Sequence, residues 1–387
     1  MSILTPHEVA DLAEGVYRVN EGDEINLKIF LNNRVFKKTN IKSEPSILKA
    51  DVGGRLFRAK NDSFGVMARG EKDVFLIFRG TTDKNKNADK VTDLRIGICL
   101  SKTNLPVHIG FNHTFNSMLP EIKEFLNDNK TEGLIHCIGH SLGGAVASLA
   151  ADWISKNRSD LRGRIKLYTF GAPRVGTHWF ANSTTSSIGD INIYRTYHRT
   201  DPVPMVAIYP FIQAPINNTG YFLPSSFPLT SGVAHKMEHY ISSVKGRDWK
   251  SISGNPVEPY NLEICLENWL KSKLPVSTSD SSFWQWVDSA LNYVIRKILI
   301  NGLAMLQGAV IGLHTIVDKL AYILAKGINL AKDISSWVVL LMKKLMQALH
   351  IIAPPTKEEI TQALIKRVLV RLTEEANKNA SNAIKNI

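Results

Sequence analysis

The feature that most constrains the fold is an alternation of strand-like and helix-like segments in the middle of the chain. Residues 133–138 and 165–170 are short apolar runs, and residues 142–156 between them form a helical pattern rich in alanine and leucine. Further strand patterns cover residues 73–78 and 191–197. Strands that alternate with helices in this way build a parallel sheet flanked by helices. The sequence therefore predicts an α/β fold.

A change in composition divides the 387-residue chain into two predicted parts. Residues 1–275 carry the α/β pattern, and residues 202–233 within them lack periodicity and predict a long loop. The run Ser277–Ser282 consists of small polar residues typical of a linker. Residues 283–387 are apolar, lysine-containing and helical in pattern, and Thr356 with Glu359 predicts a capping box that opens the last helix. We therefore expect an α/β domain followed by an all-helical extension.

A candidate nucleophile lies in the pentapeptide Gly-His-Ser-Leu-Gly at residues 139–143. A G-x-S-x-G pattern is common by chance, but this one stands between an apolar strand and a helix, as a nucleophile elbow requires. Glycines are needed two residues either side because side chains there would collide with the neighbouring strand and helix. We therefore predict that Ser141 is a catalytic nucleophile, with the free amides of the helix N-terminus facing the substrate.

A serine hydroxyl needs a histidine base and an acid that orients it. Asp201 follows the strand pattern 191–197, at the sheet edge where a triad acid is expected, although Asp-Pro also occurs in plain turns. His235 and His239 lie downstream, four residues apart and so on one face of a helix. The same run matches the H-x-x-E-H pattern of an inverted zinc protease, which is an alternative.

The oxyanion hole of such a hydrolase needs two backbone N–H donors. One is expected from Leu142, next to the nucleophile. The other is expected from Thr81, because Gly80 lets the backbone turn close to the substrate directly after the strand 73–78. These residues complete a predicted site that uses no metal and no cofactor.

Five sequence blocks, in order, resemble the class 3 lipases, a family that includes fungal triacylglycerol lipases and plant phospholipases A1. They are Phe-Arg-Gly-Thr-Thr at 78–82, Val-His-Ile-Gly-Phe at 107–111, Gly-His-Ser-Leu-Gly-Gly at 139–144, Thr-Phe-Gly-Ala-Pro-Arg-Val-Gly at 169–176 and Asp-Pro-Val-Pro at 201–204. The resemblance implies an α/β-hydrolase fold, Ser141 as nucleophile, Asp201 as acid, and Thr81 with Leu142 as oxyanion donors. Plant-like members begin an H-x-x-E-x-Y run with the catalytic histidine, which favours His235 over His239.

The lid block departs from the family pattern. Its Thr-Asp-Leu usually follows a tryptophan, whereas residues 90–94 read Lys-Val-Thr-Asp-Leu. The preceding residues 83–90 are polar and rich in lysine. This predicts a lid without apolar residues.

The charge of the chain bears on its substrate. A net charge of +12 suits anionic surfaces, and with the lipase resemblance it favours a phospholipid membrane as substrate, without nucleic acid as a partner. We therefore expect a phospholipase A-type serine hydrolase. The alternatives are a triacylglycerol lipase, a general carboxylesterase, or a membrane-disrupting protein that acts through its helical extension.

The N-terminal pattern Leu-Thr-Pro-His-Glu-Val-Ala-Asp-Leu-Ala at residues 4–13 has no secretory character. It resembles bacterial class 3 lipases exported by type VI secretion. That resemblance implies synthesis in a bacterial cytoplasm, delivery by a secretion apparatus to a target membrane, and a cognate immunity protein.

The helical extension leaves three alternatives. Residues 298–317 carry no formal charge, and this uncharged stretch is about as long as a helix that spans a bilayer. Lysines recur through the following helices, as in amphipathic helices that lie on an anionic membrane. A helical bundle that packs on itself or on the α/β domain explains the same pattern.

Overall fold

The computed structural model describes residues 3–20, 22–41, 45–52, 59–81, 97–128, 132–216, 220–252, 260, 262–306, 315–352 and 356–385. Its strands are β1 (Ser46–Val52), β2 (Ala59–Arg69), β3 (Val74–Phe78), β4 (Ile98–Leu100), β5 (Pro106–His108), β6 (Ile135–His140), β7 (Ile165–Phe170), β8 (Gly176–Thr177), β9 (Ile193–His198), β10 (Phe211–Ile212) and β11 (Tyr221–Leu223). Within these residues the main sheet has seven strands, in the order β1-β2-β3-β6-β7-β9-β11, and a smaller sheet has four, in the order β10-β8-β5-β4.

The main sheet is parallel from β3 to β11, and β1 and β2 add an antiparallel edge. The four predicted strands and their parallel arrangement are confirmed, with ends that differ by one or two residues. The predicted loop 202–233 is partly wrong, because it contains β10 and β11. Each of these strands has only two or three residues, too few to show periodicity, and each forms by pairing with a strand distant in sequence.

The helices, in chain order, are α1 (Pro6–Gly15), α2 (Glu24–Leu31), α3 (Arg34–Thr39), α4 (Ile109–Asp128), α5 (Leu142–Asn157), α6 (His178–Ile188), α7 (Met237–Val244), α8 (Trp249–Ile252), α9 (Glu263–Lys271), α10 (Ser281–Leu306), α11 (Ile316–Ile328), α12 (Lys332–Ala348) and α13 (Gln362–Ile384). The predicted helix 142–156 is therefore confirmed as α5.

Helices cover both faces of the sheet, as strand β3 shows. Val74, Leu76 and Phe78 pack into a core shared with α4 and α5, whereas Phe75 and Ile77 pack into a second core with α1 and α7. Successive side chains of a strand point to opposite faces, so a strand buried on both sides needs an unbroken apolar sequence. With the nucleophile turn between β6 and α5, this architecture confirms the predicted α/β-hydrolase fold.

The C-terminal helices α10 to α13 pack against one another and against the α/β part. Their apolar side chains belong to the same core as α4 and α5, and helix α13 contacts the two short 3-10 turns 203–205 and 232–235. Of the three alternatives for the extension, this arrangement corresponds to the helical bundle. No helix within the described ranges is both long and apolar enough to cross a membrane. Residues 307–314 of the uncharged segment 298–317 lie outside those ranges.

Two details of the extension were not predicted from the sequence. The last helix begins at Gln362 instead of after Thr356, because the Thr361 side chain accepts the backbone N–H of Leu364 and caps the helix there. Thr356 does bond to Glu359, at 2.9 Å between side-chain oxygens, but in the preceding turn. One of the recurring lysines, Lys344, is buried and donates to Ser272 Oγ and to the Leu274 carbonyl, both at 3.0 Å.

Candidate active site

Ser141 stands on a strained turn between β6 and α5. Its φ of 55° and ψ of −128° lie outside the ordinary regions for a residue with a side chain. The glycines on either side are sterically required. A Cβ on Gly139 would lie 2.2 Å from the Gly143 carbonyl oxygen, and a Cβ on Gly143 would lie 2.3 Å from the carbonyl oxygen of Phe78. The predicted reason for this glycine spacing is confirmed.

The structure brings Ser141, His235 and Asp201 into one row of hydrogen bonds. His235 Nε2 lies 2.9 Å from Ser141 Oγ, and His235 Nδ1 lies 2.8 Å from Asp201 Oδ2. All three side chains are completely buried. In a site without bulk water these bonds are electrostatically stronger than they would be at the surface. This geometry suits a serine nucleophile, a histidine base and an aspartate that orients the base.

Asp201 is held by two donors besides His235. Its Oδ1 accepts the backbone N–H of Val203 at 2.9 Å, and its Oδ2 accepts the hydroxyl of Tyr240 at 2.7 Å. Burial, and then the adjacent Asp201 charge, raises the pKa of Tyr240 well above its usual range, so this hydroxyl keeps its proton and donates. The sequence analysis assigned no role to Tyr240, although it is the tyrosine of the H-x-x-E-x-Y run.

His235 ends the 3-10 turn Gly232–His235, whereas His239 lies on α7 with its ring against Phe227. Only His235 of the two contacts Ser141 and Asp201 in the described structure. Glu238 of the H-x-x-E-H pattern is exposed, and the described residues contain no group of three or more potential metal ligands. The arrangement favours the hydrolase hypothesis over the zinc-protease alternative.

A second hydrogen-bonded row supports the base and the predicted oxyanion loop. The Gly80 N–H donates to Tyr17 Oη at 2.9 Å, and Tyr17 Oη lies 2.7 Å from His140 Nδ1. His140 Nε2 lies 2.8 Å from the carbonyl oxygen of His235. Burial, and then the neighbouring His235, lowers the pKa of His140 well below its usual range. A neutral His140 can donate only through one ring nitrogen, so Nε2 donates to the carbonyl and Nδ1 accepts from Tyr17.

The predicted oxyanion donors flank the nucleophile. Leu142 begins α5 directly after Ser141, and the backbone of Gly80 passes so close that a Cβ there would lie 2.9 Å from the Cβ of Ser141. Thr81 follows and is half-buried. The next residues, 82–96, lie outside the described ranges, and these include the lid segment 83–94. Tyr17 and His140, which hold this loop beside the base, were not predicted to be functional.

Comparisons with known proteins cover the part of the site that contains Ser141 and Asp201. Residues 75–211 match the family model described as lipase (class 3). The chain is 40% identical over 138 residues to secreted mono- and diacylglycerol lipase 1 of Fusarium solani, covering 34% of this chain and 39% of that protein. It is 30% identical over 161 residues to a lipase of Rhizomucor miehei, covering 40% of this chain and 44% of that protein. The matches thus span about two fifths of these relatives.

Among solved structures, the Rhizomucor miehei triacylglyceride lipase aligns with a TM-score of 0.43 at 23% identity, covering 56% of this chain and 78% of that one. The matched segment 75–211 contains the pentapeptide of Ser141, the Gly80–Thr81 loop and Asp201. Residues 75–211, which carry Ser141 and Asp201, are thus similar to the class 3 lipases.

Proposed function

We propose that this protein is a lipolytic serine hydrolase that cleaves acyl ester bonds. The observation that carries the proposal is the row Ser141–His235–Asp201, with 2.9 Å and 2.8 Å between the bonded atoms. Ser141 and Asp201 lie inside the segment that matches the class 3 lipase model, and His235 follows it. The relatives support the lipolytic class, since those named above are lipases.

The proposed reaction proceeds through an acyl-enzyme. Ser141 Oγ attacks the ester carbonyl carbon while His235 Nε2 takes the hydroxyl proton, and Asp201 stabilises the imidazolium that forms. The backbone N–H groups of Thr81 and Leu142 bind the oxyanion of the tetrahedral intermediate. When the intermediate collapses, the C–O bond to the alcohol breaks and His235 returns the proton to that alcohol. Water, deprotonated by His235, then releases the fatty acid and restores Ser141.

For the substrate we favour phospholipid, with phospholipase A-type cleavage. The net charge of +12 supports this choice, because each basic residue near an anionic bilayer is worth about 1 kcal/mol. Acylglycerols are the second candidate, since the Fusarium solani relative is a mono- and diacylglycerol lipase. We also propose that the enzyme acts after secretion, because that relative is named as secreted. The secretion apparatus, target membrane and immunity protein inferred from residues 4–13 stay predictions.

The decisive experiment compares the purified protein with Ser141→Ala on phosphatidylglycerol vesicles and on diacylglycerol emulsions, with products identified by mass spectrometry. Removal of one triad member costs up to about a million-fold in turnover elsewhere. We expect free fatty acid from the native protein and essentially none from the variant, with unchanged circular dichroism. Substantial hydrolysis by Ser141→Ala would refute the proposed mechanism. Lysophospholipid as the main product would support the phospholipase, and monoacylglycerol alone would favour the acylglycerol lipase.

A further inference from the structure

A cavity of about 500 Å³ lies between the end of strand β9 and helix α10. We call it the arginine cavity, because Arg174, Arg195 and Arg199 line it. Neither Ser141 nor His235 lines this cavity. Of the three triad residues only Asp201 lines it, so the cavity does not contain the hydroxyl that would attack the ester bond.

Two of these arginines come from one face of β9 and the residue that follows it. Arg195, Tyr197 and Arg199 alternate along the chain, so their side chains leave on the same side of the sheet. The guanidinium carbon of Arg195 lies 4.3 Å from the centre of the Tyr197 ring. On another side, a Cβ on Gly220 would lie 2.3 Å from Arg195 Nη2. The ring and the bare backbone of Gly220 thus hold the guanidinium in a fixed position.

Two arginines of the cavity differ in whether a carboxylate neutralises their charge. Arg174 is paired with Asp288 on α10 at 2.5 Å and donates to the Ala207 carbonyl at 3.1 Å. Arg195 is only 7% exposed, yet within the described part of the chain no carboxylate lies within ion-pair distance of it, and its Nε has no hydrogen-bond partner. The remaining carboxylate of the wall, Asp201, is engaged by His235, Tyr240 and Val203.

A buried guanidinium without a counter-charge is costly, so the environment of Arg195 indicates an anionic partner. The planar fork of arginine matches phosphate oxygens, which accept two parallel N–H bonds. The wall formed by α10 indicates that the ligand also carries a hydrogen-bond donor. Among the described residues, Gln285 Oε1 on α10 is buried without a donor, and a ligand hydroxyl would supply one. The volume is within the range of small-molecule sites.

We propose that the arginine cavity binds a phosphate ester of a small polyol, with the phosphate on Arg195 and a hydroxyl on Gln285. The ligand joins β9 of the α/β part to α10 of the helical extension. Its occupancy therefore stabilises the packing of the two parts, whatever ester the enzyme cleaves. The same phosphate chemistry occurs in a free metabolite and in a lipid headgroup, and the experiment separates these sources.

The test is calorimetric titration of the full-length protein with sn-glycerol 3-phosphate, with glycerol and sodium chloride at matched ionic strength as controls. We expect the phosphate ester to bind saturably and to raise the midpoint of thermal unfolding. Glycerol and sodium chloride should do neither. Loss of a hydrogen bond to a charged group corresponds to a factor of roughly 10 to 100, so Arg195→Gln should weaken binding by that factor. Arg371→Gln removes an exposed arginine on α13 and is the matched control. No saturable binding by the native protein, or equal binding by Arg195→Gln, overturns the proposal.

A second variant guards against a folding defect in Arg195→Gln. Ser289→Phe fills the cavity from α10 and leaves all three arginines in place. It should abolish binding while the circular dichroism stays native, and undiminished binding by this variant overturns the proposed location.

Co-sedimentation with phosphatidylcholine vesicles, with and without phosphatidic acid, identifies the source of the phosphate. Sedimentation that requires both phosphatidic acid and Arg195 assigns the site to a lipid headgroup. Binding of the soluble ester alone assigns it to a free metabolite.

Discussion

Gly232 lies directly against Ala383, so that a Cβ on Gly232 would come within 2.8 Å of the Ala383 Cα. The contact joins the last turn of α13 to the 3-10 turn that ends at His235. The final helix of the extension thus packs beside the proposed catalytic base. A shift of this turn would change the 2.9 Å separation of His235 Nε2 from Ser141 Oγ.

We therefore predict that Gly232→Ala lowers kcat on a soluble ester by about 10-fold or more, because misplacement of a reacting group by about 1 Å can cost 100-fold. Overpacking of this kind also costs about 1–3 kcal/mol in the free energy of unfolding. Val233→Ala is the control, since Val233 is exposed on the same turn. Steady-state kinetics and urea unfolding measure both effects. Native kcat in Gly232→Ala would mean that this turn tolerates displacement.

A pair of histidine variants tests the choice of base. His235→Ala should reduce ester turnover as far as Ser141→Ala does, because it removes the acceptor of the Ser141 proton. His239→Ala should keep most of the activity, since the ring of His239 packs on Phe227 and not on the triad. The reverse result would exchange the two roles. EDTA should have no effect, and inactivation that zinc reverses would instead support the H-x-x-E-H alternative.

The Tyr17 hydroxyl is predicted to position the oxyanion loop. Tyr17→Phe removes an acceptor from the Gly80 N–H and a donor from His140 Nδ1. Each polar group left without a partner in a buried site costs about 1–3 kcal/mol. We expect a lower free energy of unfolding and a fall in kcat of about 10- to 100-fold, with a smaller change in KM. A fall in stability with unchanged kcat would show that Tyr17 is only structural.

A matched control for Tyr17→Phe is Tyr322→Phe. Tyr322 lies on α11, far along the chain from the triad, and its ring contacts Lys326. This variant removes a phenolic hydroxyl without touching the Gly80–His140 row, so its kcat should stay native.

The buried histidines predict a loss of stability in mild acid. Burial lowers the pKa of His108 from 6.5 to about 4, and burial also lowers the pKa of His136, His140 and His198. Below pH 6.5 these side chains take up protons more readily in the unfolded chain than in the folded one. The stability of the protein is therefore unaffected by protonation of these histidines above pH 6.5. As the pH drops below this value, the free energy of unfolding falls by up to about 1.4 kcal/mol per pH unit for each histidine.

Urea unfolding between pH 7.5 and pH 5 measures this slope. His108→Gln removes one of the titrating groups and should make the slope shallower, while the exposed substitution Lys245→Gln should not. A slope for His108→Gln that equals the native slope would show that His108 does not contribute.

Local patterns in the sequence determined the sheet and the nucleophile turn. The strand β3 follows from an unbroken apolar run, and the turn at Ser141 follows from glycines that alone fit between β6 and α5. Both depend on the sterics of a few consecutive residues, which is why they were predictable. The order Ser141, Asp201, His235 also followed from motifs, with His239 left as an alternative.

Other features were decided by contacts between residues far apart in sequence. Tyr17 and His140 are 123 residues apart and meet only because α1 packs on the face of β6. The position of α13 beside His235 depends in the same way on the packing of the whole helical extension. An apolar helix studded with lysines suits either a membrane or a bundle, because periodicity shows that a face is buried but not what covers it. The sequence also could not predict which charged groups surround Arg195, because that depends on which segments the completed fold brings together around the cavity.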